Sequence, residues 1–92
     1  MRQYELVVVS RSGLSETDRK KLLDSIKSLL KDFKITKEED WGSKPLAYKI
    51  KREVSGFYQM LQVEGEKGVT PDFENRLAKN DEILRFLMIR KD

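Results

Sequence analysis

The chain has 92 residues, of which 38% are apolar and 38% charged, and its formal net charge is only +3. This length suits one domain with a modest core, so we expect a single domain over residues 1–92. The chain contains no cysteine and no histidine, which excludes disulfides and removes the usual zinc ligands and nucleophile–base pairs. We therefore expect no enzyme, metal site or cofactor, and any nucleic-acid binding must use locally clustered cations.

The first element is predicted to be a strand from Gln3 to Ser10. Apolar residues occupy both of its faces, which is typical of a central strand covered on both sides. Its longest apolar run, Leu6–Val9, is far too short to span a membrane, and the amino terminus lacks the apolar region of a signal peptide. We expect a cytoplasmic protein with no membrane contact.

A helix is predicted next, with Ser15 and Asp18 as a capping pair and Leu14 as a hydrophobic staple. The helix should run to about Phe33, because apolar residues recur at spacings of three and four. These residues are predicted to form its core face: Leu22, Ile26, Leu29, Leu30 and Phe33.

The remaining sequence predicts two strands, a short helix and a last strand. The strands are Ile35–Trp41 and Gly56–Glu64, joined by a basic segment, and Thr70–Pro71 starts the helix. The last strand is Ile83–Arg90. The βαββαβ order predicts an α+β, ferredoxin-like sandwich, in which a four-stranded antiparallel sheet carries both helices on one face.

That architecture leaves the second face of the sheet open. Alternation along the strands nevertheless assigns apolar residues to it, and a contiguous apolar patch on a small protein more often marks a contact surface than a neutral one. The residues assigned to the open face are Val7, Val9, Tyr58, Met60, Leu87 and Ile89.

Residues 38–48 hold the chain's single tryptophan and a reversal of charge. Three acidic residues precede Trp41, and four cations without an intervening acid follow it, from Lys44 to Arg52. This arrangement indicates a docking surface for a partner such as RNA, with Trp41 filling a corner of the core and presenting one edge. The alternative is a solvated hairpin whose tryptophan only completes the core.

The same segment resembles the signature of the bacterial small-subunit ribosomal protein six family, in which an acidic-Trp-Gly step is followed by a cation and Leu-Ala-Tyr. The resemblance extends to the opening Met1–Glu5, to Gly56–Tyr58 and to Asn80–Arg85, so that nearly the whole chain is covered. The chain departs from the family pattern at Ser43, where a cation is usual, and at Lys49, where proline is usual.

The resemblance implies a structural protein that binds small-subunit (16S) ribosomal RNA as a heterodimer with small-subunit ribosomal protein eighteen, without a small-molecule substrate. The expected contacts with the protein partner are Trp41, Leu46, Tyr48, Tyr58 and Met60. The expected phosphate contacts are Arg2, Lys44, Arg85, Arg90 and Lys91. Arg2 and Arg90-Lys91 would gather at one end of the sheet if the first and last strands are neighbours.

Two other functions are compatible with the predicted fold. An RNA recognition motif binds single-stranded RNA by base stacking, and Gly56-Phe57 imitates the start of its third-strand signature. A hydrolase of acylphosphatase type needs a phosphate-cradling loop, which Arg11–Ser15 superficially resembles. Both patterns are incomplete, because Ser55 replaces the cation that the first requires and a single glycine does not make the second.

Overall fold

The computed structural model describes residues 2–66 and 68–91, which form one sheet covered on one face by two helices. The strand order is β2-β3-β1-β4, and each neighbouring pair is antiparallel. This confirms the predicted ferredoxin-like βαββαβ fold. The elements are β1 Arg2–Arg11, α1 Glu16–Leu29, β2 Lys34–Ile50, β3 Glu53–Gly65, α2 Pro71–Ala78 and β4 Ile83–Arg90. Neither described helix is long and apolar enough to cross a membrane.

Both helices begin where their capping residues predict. The Ser15 hydroxyl accepts a hydrogen bond from the backbone N–H of Asp18 at 3.1 Å. Thr70 does the same for Phe73 at 3.3 Å, and Pro71 occupies the first turn of α2. Each bond satisfies one of the amide groups that the first turn of a helix leaves unpaired.

The end of α1 differs from its prediction. The helix stops at Leu29, and the N–H of Leu30 contacts the carbonyls of both Ile26 and Lys27. Phe33 lies in the following turn, where its ring packs against Gly65 of β3 and lies 6.1 Å from the Tyr4 ring. Tertiary packing of Phe33 therefore ends the helix four residues before the apolar spacing predicts.

The core lies between the helices and the inner face of the sheet. It combines alternate residues of the central strands with the apolar face of each helix, as the periodicities predict. Its buried members are Leu6, Val8, Leu22, Ile26, Leu30, Leu61, Val63, Phe73, Leu77 and Ile83.

The hairpin formed by β2 and β3 is much longer than predicted, because the basic segment is itself part of β2. A two-residue turn, Lys51-Arg52, joins the strands, and both residues have positive φ angles of 49° and 69°. Positive φ at both central residues is the signature of a type I′ turn, which normally favours Asn-Gly. For residues with a side chain this conformation costs about 1–2 kcal/mol each. Because Lys-Arg is not a residue pair that favours such a turn, the sequence did not predict a turn at this position.

The outer part of this hairpin extends beyond the rest of the sheet. The last pair between β1 and β3 is Arg11 with Gly56, so residues 45–55 form a two-stranded projection, which we call the hairpin arm. The arm leans towards the start of β4, since the Lys51 ammonium donates to the carbonyl of Ile83 at 3.1 Å. An ion pair of 3.6 Å between Arg11 and Glu53 holds its base.

Candidate functional site

The open face of the sheet has a buried layer and an exposed patch. Val9 and Met60 are only 2% and 1% exposed, although both lie outside the helix-side core cluster. Leu87 and Ile89 on β4 are 50% and 39% exposed. The predicted open face is thus apolar, but its accessible part is displaced towards β4.

The absence of a side chain at Gly56 explains why Val9 is buried, because the Val9 side chain lies directly against the Gly56 backbone. Gly56 lies beside it on β3, and a Cβ at Gly56 would clash with Cγ1 of Val9 and lie 3.5 Å from Leu84 Cδ1. Val9 and Leu84 therefore fill the space that a side chain at residue 56 would need. Next to them is a shallow cavity of about 150 Å³, lined by Val7, Val9, Tyr58, Arg85, Phe86 and Leu87.

Met60 cannot serve as the partner contact expected of it. At 1% exposure its side chain is enclosed by the chain itself. Strand alternation assigned it correctly to the face of Val7, with which it pairs, but alternation specifies the face of a sheet and not whether neighbouring side chains cover it. We remove Met60 from the contact surface.

Trp41 lies at an irregular point of β2. Asp40 pairs with Gln59 and Gly42 with Tyr58, so Trp41 is an extra residue in the strand. The Asp40 carboxylate accepts the Gly42 N–H at 3.0 Å, and Gly42 has a φ of 79°. This bulge turns Trp41 outwards, where it is 39% exposed, so the prediction that it fills a corner of the core is wrong.

One predicted phosphate contact lies between two predicted partner contacts. The Lys44 ammonium is 5.5 Å from the centroid of the Trp41 ring and 5.7 Å from that of Tyr58. These distances are those of cation–π contacts. The three residues form an aromatic-cation cluster at the β2 edge of the open face.

A second contact between an aromatic residue and a cation lies on the β4 side of the same face. Nη1 of Arg85 donates to the Tyr48 hydroxyl at 3.4 Å, although Tyr48 belongs to the hairpin arm and is 63% exposed. Leu46, the remaining expected partner contact, is half-buried in the arm. One row of paired residues crosses the sheet, formed by Arg85, Val9, Tyr58 and Gly42. The aromatic-cation cluster and the contact between Arg85 and Tyr48 therefore belong to one surface.

The strand-end cations gather as expected but divide between the two faces. β1 and β4 are neighbours, and the Lys91 N–H donates to the Gln3 carbonyl at 2.7 Å. Arg90 pairs with Tyr4 on the helix side of the sheet, and Arg2 shares the parity of Tyr4. Lys91 instead forms a 3.7 Å ion pair with Glu5, on the open-face side.

Two of the three acidic residues before Trp41 are held by contacts with α1 or within the bulge. Glu38 pairs with Leu61 on the helix side and forms an ion pair with Lys27 of α1. Asp40 is used in the bulge. Glu39 instead pairs with Met60 on the open face. The reversal of charge along the sequence therefore does not divide the acids and the cations cleanly between the two faces of the sheet.

Two residues needed by the alternative functions are engaged elsewhere. Phe57 lies on the helix side, where the Arg19 guanidinium is 4.1 Å above its ring, so it offers no stacking surface on the open face. Arg11 donates to the Asp81 carbonyl at 2.8 Å and pairs with Glu53. Within residues 2–66 and 68–91 there is also no cluster of carboxylates suited to a metal ion.

Comparison with known proteins agrees with this geometry. The family model described as ribosomal protein S6 matches residues 3–90. Two relatives are each described as small ribosomal subunit protein bS6. That of Orientia tsutsugamushi is 37% identical and aligns with 98% of this chain and 78% of its own length. The protein of Heliobacterium modesticaldum is 34% identical, and the alignment covers 100% of this chain and 98% of the length of that relative.

A solved structure shows the same fold. The crystal structure of 30S ribosomal protein S6 from Thermotoga maritima superposes with a TM-score of 0.88 at 26% identity, covering 98% of this chain and 87% of that one. The match confirms the resemblance found in the motifs around Trp41 and Tyr48. The chain belongs to the ribosomal protein S6 family and is a structural, non-enzymatic component of the small ribosomal subunit in the cytoplasm.

Proposed function

We propose that the chain binds 16S ribosomal RNA jointly with small-subunit ribosomal protein eighteen. The observation that carries the proposal is the open face, where exposed apolar and aromatic groups alternate with cations. Leu87 and Ile89 form the exposed apolar part, while Lys44 lies against Trp41 and Tyr58. Apolar groups suit a protein partner and cations suit phosphate, so one surface serves both ligands.

The modest charge of the chain supports a joint mechanism. A net charge of +3 provides little unaided attraction to phosphate, and contacts with phosphate position a protein on RNA without reading its sequence. Specificity would then come from the shape of the RNA and from the combined surface of the two proteins.

Gel filtration tests this directly. The chain, protein eighteen and a central-domain fragment of 16S RNA are mixed in all combinations at about 0.1 M salt. We expect a stable ternary peak at concentrations at which the chain and RNA alone elute separately. Elution of the chain apart from both ligands would contradict the proposal.

The strand-end cations offer a test of the phosphate contacts. Neutralising Arg2, Arg90 and Lys91 together should weaken binding of the ternary complex on any RNA sequence. It should also reduce the salt slope by about one for each true contact. A matched variant that neutralises Lys21, Lys31 and Lys79 on the helix side controls for net charge. An unchanged salt slope in the first variant would remove this sheet end from the RNA-binding surface.

A further inference from the structure

The tip of the hairpin arm carries the most unusual backbone of the described residues. Lys51 and Arg52 are its non-glycine residues with positive φ, and they are adjacent. A type I′ turn would form more readily with Asn-Gly. Strained residues persist where the surrounding structure or a function requires their side chains, so each of these two side chains needs an explanation.

The Lys51 side chain makes a contact within the chain, whereas the Arg52 side chain makes none with the described residues. The Lys51 ammonium fixes the arm to β4 through the Ile83 carbonyl. Arg52 is exposed and makes no hydrogen bond or ion pair with the residues that the structure describes. The strained conformation therefore places the Arg52 guanidinium at the end of the hairpin arm, without a partner among the described residues.

The charge around the tip favours a polyanion. The arm contains Lys49, Lys51 and Arg52 and a single acid, Glu53. That acid is neutralised by Arg11 at 3.6 Å. With three cations and one acid the arm has a net charge of +2, against +3 for the whole chain, and Arg85 adjoins the arm through the Tyr48 hydroxyl.

We infer that the arm tip is a separate phosphate-binding prong, in which Arg52 contacts the ribosomal RNA backbone and Lys49 supports it electrostatically. This inference rests on the proposed function and adds an RNA contact outside the open face. Arg52 has a planar fork of donors suited to two phosphate oxygens. The two anchors of the arm, Lys51 to Ile83 and Glu53 to Arg11, hold that fork in place before RNA binds.

Arg52→Asn separates the RNA role from the fold. Asparagine tolerates positive φ better than most residues, so the melting temperature should be unchanged or higher. In the ternary assay with protein eighteen and the 16S central-domain fragment, we expect affinity to fall about three- to tenfold and the salt slope to fall by about one. Arg52→Lys should show less than half of this reduction in salt slope, because it keeps the positive charge.

Lys79→Asn is the matched control, since it removes one exposed cation at the end of α2 and should leave the salt slope unchanged. If the parent chain forms no ternary complex, the proposed function fails. If the parent binds and Arg52→Asn binds with equal affinity and slope, the prong is refuted while the proposed function stands. A loss of affinity of the same size for protein eighteen without RNA would also overturn the inference, since the tip would then contact protein.

Discussion

Leu87→Asp is expected to reduce the affinity of the chain for small-subunit ribosomal protein eighteen by about a hundredfold or more. Leu87 is 50% exposed beside Val7, with which it pairs on the open face. An ionised carboxylate buried without a partner in an apolar contact costs several kcal/mol, and every 1.4 kcal/mol is about tenfold in affinity. Titration calorimetry of the two proteins measures the effect.

The same substitution should leave the fold nearly unchanged, because half of the Leu87 side chain is already in water. Thr17→Asp is the control, since it adds the same charge in the first turn of α1, where acidic residues are favourable. Normal affinity of Leu87→Asp with a normal melting curve would show that the β4 side of the open face does not contact the partner.

Gly56→Ala should lower the free energy of unfolding by about 1–3 kcal/mol, the usual cost of overpacking. For a domain of this size, that corresponds to a fall of about 5–20 °C in the melting temperature. The new Cβ would clash with Cγ1 of Val9 and lie 3.3 Å from the backbone oxygen of Ser10. Val9 is buried and β-branched, so its side chain has little freedom to move away.

A double-mutant cycle identifies the cause. The cost of Gly56→Ala should be smaller in a Val9→Ala background, because the clashing methyl group is absent. Gly13→Ala provides the control, since no atom lies within 4 Å of the position of its added Cβ. Equal costs of Gly56→Ala in both backgrounds would show that the close approach of β1 and β3 does not set the stability of this region.

The sequence predicts much of the fold because its local signals agree with one another. Capping by Ser15 and Thr70 sets the starts of both helices, and the last strand has the predicted bounds. The local sequence signals fail where contacts between residues distant in sequence determine the conformation. Phe33 leaves its helix to pack on Gly65, and Lys51-Arg52 forms a turn that its residue types disfavour.

The sequence predicted which residues belong to the candidate site better than it predicted how their side chains are arranged. The motif around Trp41 identified the family, and alternation placed Tyr58 and Leu87 on the open face. Neither could show that a bulge exposes Trp41 or that the chain itself covers Met60. The first outcome depends on an irregularity of β2, and the second depends on side chains from other parts of the chain that cover Met60, neither of which follows from the local pattern.

Joint binding is tested most directly by measuring one coupling factor in two ways. The affinity of the chain for the 16S central-domain fragment is measured with and without saturating protein eighteen, and its affinity for protein eighteen with and without saturating RNA. Linkage requires both ratios to be equal, and a shared surface predicts that each is at least about tenfold, or 1.4 kcal/mol. Ratios of one in both titrations would show independent binding and contradict the account.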